Sequence, residues 1–239
     1  MASFFAPHGA GDLLARYSFI EPLLAGRRVL EIGGARGTDG ASALALAERG
    51  AAAVLSVEDD GLGLGRAAEA ASHPFVQFRA APIEELPQNA FDLVLVADGA
   101  PLAANPERLA ALAALLSPKG HLVTALAATG AHGLAALAGE PPPPELPSYE
   151  SFVGALGAVF EVVEIATQSP AVGWVLAPAS GEEEPDLAVD GSLAGAPEAA
   201  YYVALCGAQA TRLGGMSLVT LPHAPLADAA LRVAEAARA

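Results

Sequence analysis

The sequence predicts a doubly wound, mostly parallel α/β sheet with helices on both faces, and three observations carry that expectation. Short apolar, β-branched runs alternate with helical stretches along most of the chain. The first run, Arg28-Val29-Leu30-Glu31-Ile32, enters a glycine-rich turn, Gly33-Gly34-Ala35-Arg36-Gly37. A final run, Tyr201–Cys206, reads as a strand antiparallel to its neighbours.

Each element has its own reason. Residues 11–25 read as a helix with Asp12 near its start, and Leu13, Arg16, Tyr17 and Ile20 share one face by 3–4 spacing. Val29, Leu30 and Ile32 suit a central buried strand. Gly33, Gly34 and Gly37 let the backbone turn with φ > 0 and approach a ligand closely. Thr38 or Asp39 caps the next helix and Gly50 ends it. Residues 53–58 form a second strand that ends in Glu58, 25 residues after Gly33, followed by Asp59 and Asp60. A carboxylate at such a strand end can accept two hydrogen bonds from a ribose diol.

Residues 66–72 read as a short helix, 75–78 as a third strand and 91–98 as the clearest strand of all. Residues 105–116 are helical, with Pro106 in the tolerated first turn. Ser117–Gly120 turn into a fifth strand, which places His121 at the edge away from the ligand. Residues 127–147 break the pattern with glycines and the run Pro141–Pro144, a lid or linker that contains His132. Ser148–Phe160 is a helix and residues 161–166 a strand. Residues 170–198 read as an insertion, with a short strand over 172–176 carrying Trp174 and an acidic run over 182–186 that reads as a solvated loop. The domain closes near residue 208. A tail over 209–239 ends in a helix whose Leu226, Ala230, Val233 and Ala237 follow 4-3-4 spacing. That seam is shorter than two heptads, too short to specify a coiled coil, but it offers a surface for self-association or a protein partner.

Composition narrows the function. The chain has 239 residues and a formal charge of −15, with 12 basic against 27 acidic side chains. Phosphate-rich nucleic acid and anionic membrane surfaces both call for the opposite balance. The single cysteine, Cys206, rules out an internal disulfide and a cysteine-cluster metal site. Neither a signal peptide nor a run of about 18 apolar residues is present, so a cytoplasmic location is expected.

The glycine turn fits the dinucleotide pattern Gly-x-Gly-x-x-Gly poorly in either register. The string Glu31-x-Gly33-x-Ala35-x-Gly37 instead resembles the first motif of class I S-adenosylmethionine (SAM)-dependent methyltransferases, with Ala35 where that family usually has glycine. Glu58, the Phe91-Asp92 strand and the Leu116-x-Pro118-x-Gly120-x-Leu122 turn extend the resemblance over roughly residues 10–206. It implies a seven-stranded sheet with the last strand reversed, and SAM as cofactor. Glu31, Gly33, Ala35 and Gly37 would hold the methionine end, Glu58 the ribose, Ile83 the adenine, and Asp98 would face the methyl. Pro82 stands where relatives carry an acid for the adenine amino group, and Gly99-Ala100-Pro101 replaces the motif of enzymes that methylate amino groups of nucleobases. The implied reaction is methyl transfer to a small-molecule or protein acceptor. An oxygen acceptor also needs a base, for which His8, His132 and Asp98 are the candidates. The alternative is an inactive methyltransferase-like domain that serves as a protein-binding scaffold. His8 and Tyr17 would line the substrate mouth of an active enzyme; the other reading, which carries more weight, is a terminal helix packed on the sheet.

Overall fold

A computed structural model describes residues 4–58, 64–128, 134, 145–174, 176, 188–193 and 198–238. Seven strands form one sheet: β1 Arg28–Ile32, β2 Ala53–Glu58, β3 Val76–Ala80, β4 Phe91–Val96, β5 Leu116–Ala127, β6 Val162–Gln168 and β7 Tyr201–Gly207. Their order is β3-β2-β1-β4-β5-β7-β6. Strands β1 to β5 run parallel, and β7 inserts antiparallel between β5 and β6. The expected doubly wound sheet with one reversed strand is therefore present.

Strand alternation explains why helices cover both faces. Leu30, Ile32, Val94, Val96 and Leu122 point into one core with Leu109, Leu112, Phe152 and Leu156. The last four come from helices α5 (Pro106–Leu115) and α6 (Tyr149–Gly157). Val29, Val54, Leu93, Leu95 and Val123 point into the other core, with Leu13, Tyr17 and Leu46. That face is covered by α1 (Ala10–Phe19) and α3 (Ala41–Glu48). Pro22 follows α1 in a separate 3-10 turn over Glu21–Leu23, so the helix expected over 11–25 is split in two.

Asp92 fixes the N-terminal rim of the sheet. Its carboxylate accepts from the Arg28 backbone N–H at 3.0 Å, the Arg28 guanidinium at 3.1 Å and the Ser117 hydroxyl at 3.0 Å. Arg28 chiefly holds the Asp92 carboxyl down at about 2. Between Leu116, opposite Phe91, and His121, opposite Leu93, the Ser117–Gly120 segment makes an irregularity in β5, where a turn was expected. His121 sits on this rim, with Nε2 2.9 Å from the Gln209 carbonyl, a structural position as expected.

The C-terminal third departs more from expectation. Residues 171–174 are not in a strand and Trp174 is 94% exposed, so the predicted strand over 172–176 is absent among the described residues. An isolated apolar run gains no strand without a neighbouring edge to pair with. The acidic run and most of the proline-rich stretch lie outside the described residues. The terminal helix α7 spans Ala224–Ala236, but it buries Ala229 and leaves Ala230 and Val233 of the predicted seam exposed.

Candidate active site

The winding of the sheet reverses between β1 and β4. Ligands of open α/β sheets bind outside the carboxyl ends of the strands at such a switch point. Here the Ala97 N–H donates to the Ile32 carbonyl at 3.0 Å, which closes the two strand ends on each other. Gly33 leaves β1 with φ +78°, a conformation that costs a side chain dearly. Gly34 and Gly37 have other reasons to be glycine. A Cβ on Gly34 would lie within the Glu31 carboxyl, and one on Gly37 would come within 3.0 Å of the His8 carbonyl. Helix α2 (Ala35–Thr38) follows at once, then Asp39 and Gly40, both left-handed, lead into α3. Thr38 works from inside the turn: its hydroxyl donates to the Gly34 carbonyl at 2.8 Å and accepts from the Ser42 N–H at 3.2 Å.

A cavity of about 380 Å³ opens over this rim. Gly33, Arg36 and Gly37 line it from the turn, and Glu58 from the end of β2. Arg66, on α4 (Leu64–Ala70), and the N-terminal segment Ala6–Gly9 complete it. Small-molecule sites typically occupy ~300–1,000 Å³. Glu58 is only 7% exposed and accepts the Arg36 backbone N–H at 2.9 Å, so the turn itself orients this carboxylate. The structure thus brings together Gly33, Gly37, Glu58 and His8.

Glu31, Ala35 and Ile83 do not line the cavity. All three are buried. Glu31 accepts from the Tyr17 hydroxyl at 2.8 Å and the Ser56 hydroxyl at 2.7 Å, and burial raises its carboxyl above the usual range. It braces the glycine turn from behind. Tyr17, read either at the substrate mouth or in a packed terminal helix, takes the second place: it is spent on this contact and is fully buried. Ala35 and Ile83 act from underneath: Ala35 packs with Leu64 and Ala67, and Ile83 joins the core against Leu86.

Next to the cavity lies a polar cluster that spacing along the chain did not reveal. Arg16 is 3% exposed. Its Nη1 donates to the Ala97 carbonyl at 3.1 Å, its Nε to Gln168 at 3.3 Å, and its guanidinium lies 5.3 Å from the Tyr201 ring centre. Arg16 Nη2 is buried and makes no hydrogen bond. Asp12 accepts from the Tyr201 hydroxyl and from the His8 N–H, and burial raises its carboxyl. His8 has φ +57°, and its Nε2 stands 3.6 Å from Asp98 Oδ1. Burial lowers its imidazole and favours the neutral ring, although Asp98 opposes the shift. Its Nδ1 is buried without a partner. Asp98 is exposed and also caps the Ala100 N–H at 2.9 Å. His132 lies outside the described residues. Among those described, no cluster of three or more metal-ligating side chains occurs, and no helix is long and apolar enough to cross a membrane.

Comparison with known proteins accords with this geometry. Residues 30–124 match the methyltransferase domain family. A chain of the Haloferax volcanii complex between the Trm112 methyltransferase activator and a putative methyltransferase superposes with a TM-score of 0.54 at 15% identity, over 87% of this chain and 91% of that one. The CMeT domain of the citrinin polyketide synthase gives 0.51 at 14% identity, over 76% of this chain and 46% of that one. A TehB-like SAM-dependent methyltransferase from Corynebacterium glutamicum gives 0.49 at 16% identity, over 82% and 86%. No curated protein sequence matches. The strand order and the glycine turn at the switch point fit that match: the chain has a Rossmann-like, methyltransferase-type α/β fold, within which residues 30–124 match the methyltransferase domain family.

Proposed function

We propose that this protein is an active enzyme that moves a methyl group from SAM to a small-molecule or protein acceptor, with the cavity between the Gly33 turn and Glu58 as its cofactor site. The observation that carries this reading is the pairing of a glycine-lined turn with a buried carboxylate at the adjacent strand end. Glu58 would take the ribose diol, and Gly33 and Gly37 would admit the chain linking ribose and methionine. Arg16 Nη2, an unspent donor beside Ala97, suits the ligand carboxylate. When bound, the cofactor supplies a sulfonium methyl, and its leaving group is a neutral thioether. The protein's task is then mainly to position donor and acceptor.

His8 and Asp98 would serve an acceptor that loses a proton. His8 is neutral at physiological pH because of its burial, and Asp98 can hold the ring's orientation. The test is transfer of a radiolabelled methyl group from SAM into two fractions of a cell extract, small molecules and proteins. Labelling of either fraction that falls at least about tenfold in His8→Ala is expected for loss of general-base assistance. Absence of labelling in both fractions, with SAM bound, would favour the scaffold alternative. The exposed Leu231 and Val233 of α7 are the observation on its side.

A further inference from the structure

A second groove lies on the opposite rim of the sheet. It holds about 590 Å³, between the end of α1 and the tail that follows β7. Ser18 and Phe19 of α1, Arg49 behind α3, and Arg212, Gly214 and Ser217 of the tail line it. These segments lead into the N-terminal ends of β1 and β2 or leave the far end of β7. The groove is therefore about one strand length, ~17–20 Å, from the glycine turn.

We propose that this groove binds a small anionic molecule bearing a phosphate or carboxylate group. The chain has 12 basic residues against 27 acidic ones, yet two arginines 163 positions apart converge here. The tail is pinned so as to present one of them. The Thr211 N–H donates to the Glu164 carboxylate at 2.6 Å, and the Leu213 side chain packs on the core. Between these anchors Arg212 adopts φ +59°, which a residue with a side chain holds only when its surroundings enforce it. Its guanidinium has no hydrogen bond or ion pair among the described residues. Arg49 is held from α3 by the Ala45 carbonyl at 3.3 Å. Its Nε is buried and completes no hydrogen bond, with the Glu21 carboxylate 3.4 Å away as a loose ion pair. Arg49 and Arg212 line one groove together with Ser18 and Ser217, and guanidinium forks and hydroxyls are the donors that match the planar acceptor edges of phosphate and carboxylate. Glu21 is the internal competitor.

The test is calorimetric titration of the full chain with pyrophosphate and with citrate at low salt, repeated in saturating S-adenosylhomocysteine. Saturable binding of at least one probe is expected, unchanged by S-adenosylhomocysteine. Arg212→Ala, which removes an unbonded exposed side chain, should weaken it by about tenfold, as for loss of a charge-assisted pair, and Arg49→Ala by a similar factor. Glu21→Gln should strengthen it, an effect that a purely structural groove would not show. No saturable binding, binding insensitive to both arginines, or displacement by S-adenosylhomocysteine would overturn the proposal. Preference for pyrophosphate over citrate would assign the site to phosphate esters, and the reverse to carboxylates.

Discussion

The carboxyl edge of the sheet has two halves built on different plans. The proposed cofactor half, from the Gly33 turn to Glu58, is built mainly on one βαβ unit, and its contacts there span about 25 residues: Ser56 to Glu31, Glu58 to the Arg36 N–H. The proposed acceptor half, around His8, Asp12 and Asp98, draws on both ends of the chain. Tyr201 reaches Asp12 across 189 residues, and Gln168 reaches the Asp12 carbonyl across 156. The first half is a local device that the strand-turn-helix geometry sets. The second exists only once β7 has inserted between β5 and β6 and brought its first residue to α1. It should follow that the cofactor half tolerates little change, while the acceptor half can vary without loss of cofactor binding.

The largest effect expected is from Glu31→Ala. It leaves the buried hydroxyls of Tyr17 and Ser56 without their acceptor and opens a cavity behind the turn. A loss of about 3–5 kcal/mol is expected in denaturant unfolding, at the upper end for a single residue. A loss below about 1 kcal/mol would show that Glu31 is not the brace described. Gly34→Ala comes next, because its methyl group would collide with that same carboxyl. Overpacking of this kind costs about 1–3 kcal/mol, and binding of S-adenosylhomocysteine should fail with it.

Tyr201→Phe separates the two halves. It removes a donor to the buried Asp12 carboxylate, for which about 1–3 kcal/mol of stability is expected, while cofactor affinity stays within twofold of the parent. A matching collapse of cofactor affinity would join what is here divided. The smallest effect belongs to the far rim. Asp92 titrates at about 2 in the folded chain against ~3.9 in an unfolded one. A lowered carboxyl stabilises the fold above the unfolded value, and that contribution is lost as pH falls from about 4 towards 2. Asp92→Asn should flatten the thermal stability profile over that window, its small loss of stability being fullest at neutral pH and gone near pH 2. The exposure of Arg28 keeps the effect small.

The same contrast explains what could be read from the chain. Gly33 and Glu58 were legible because a strand fixes direction and a turn fixes spacing, so two strand ends 25 residues apart must meet at one rim. The sheet, its reversed strand and the structural place of His121 followed from the same logic. Of the two readings of Tyr17, the packed helix holds and the substrate mouth does not, because helical periodicity gives a face but not the partner that face will meet. Tyr17 faces Glu31, not the mouth. Glu31 was read as a ligand contact because the sequence shows a carboxylate at a strand end without showing which face of the sheet it turns to. Arg16 and Asp12 were visible as residues of α1, but their meaning depends on Tyr201 and Gln168. No local pattern ties those strand ends to the first helix. The strand expected over 172–176 failed for a related reason: an apolar run carries a propensity, and only a neighbouring edge makes it a strand.

The most direct test of the proposed cofactor site is calorimetry of S-adenosylhomocysteine binding to the parent protein, Glu58→Ala and Glu58→Gln. The glutamine variant keeps an acceptor for the Arg36 N–H and so preserves the turn, but replaces one carboxylate oxygen with a donor. Saturable binding by the parent is expected, with a loss of about 1.5–3 kcal/mol in both variants, as for hydrogen bonds to a charged group. No binding by the folded parent, or full affinity in both variants, would contradict it.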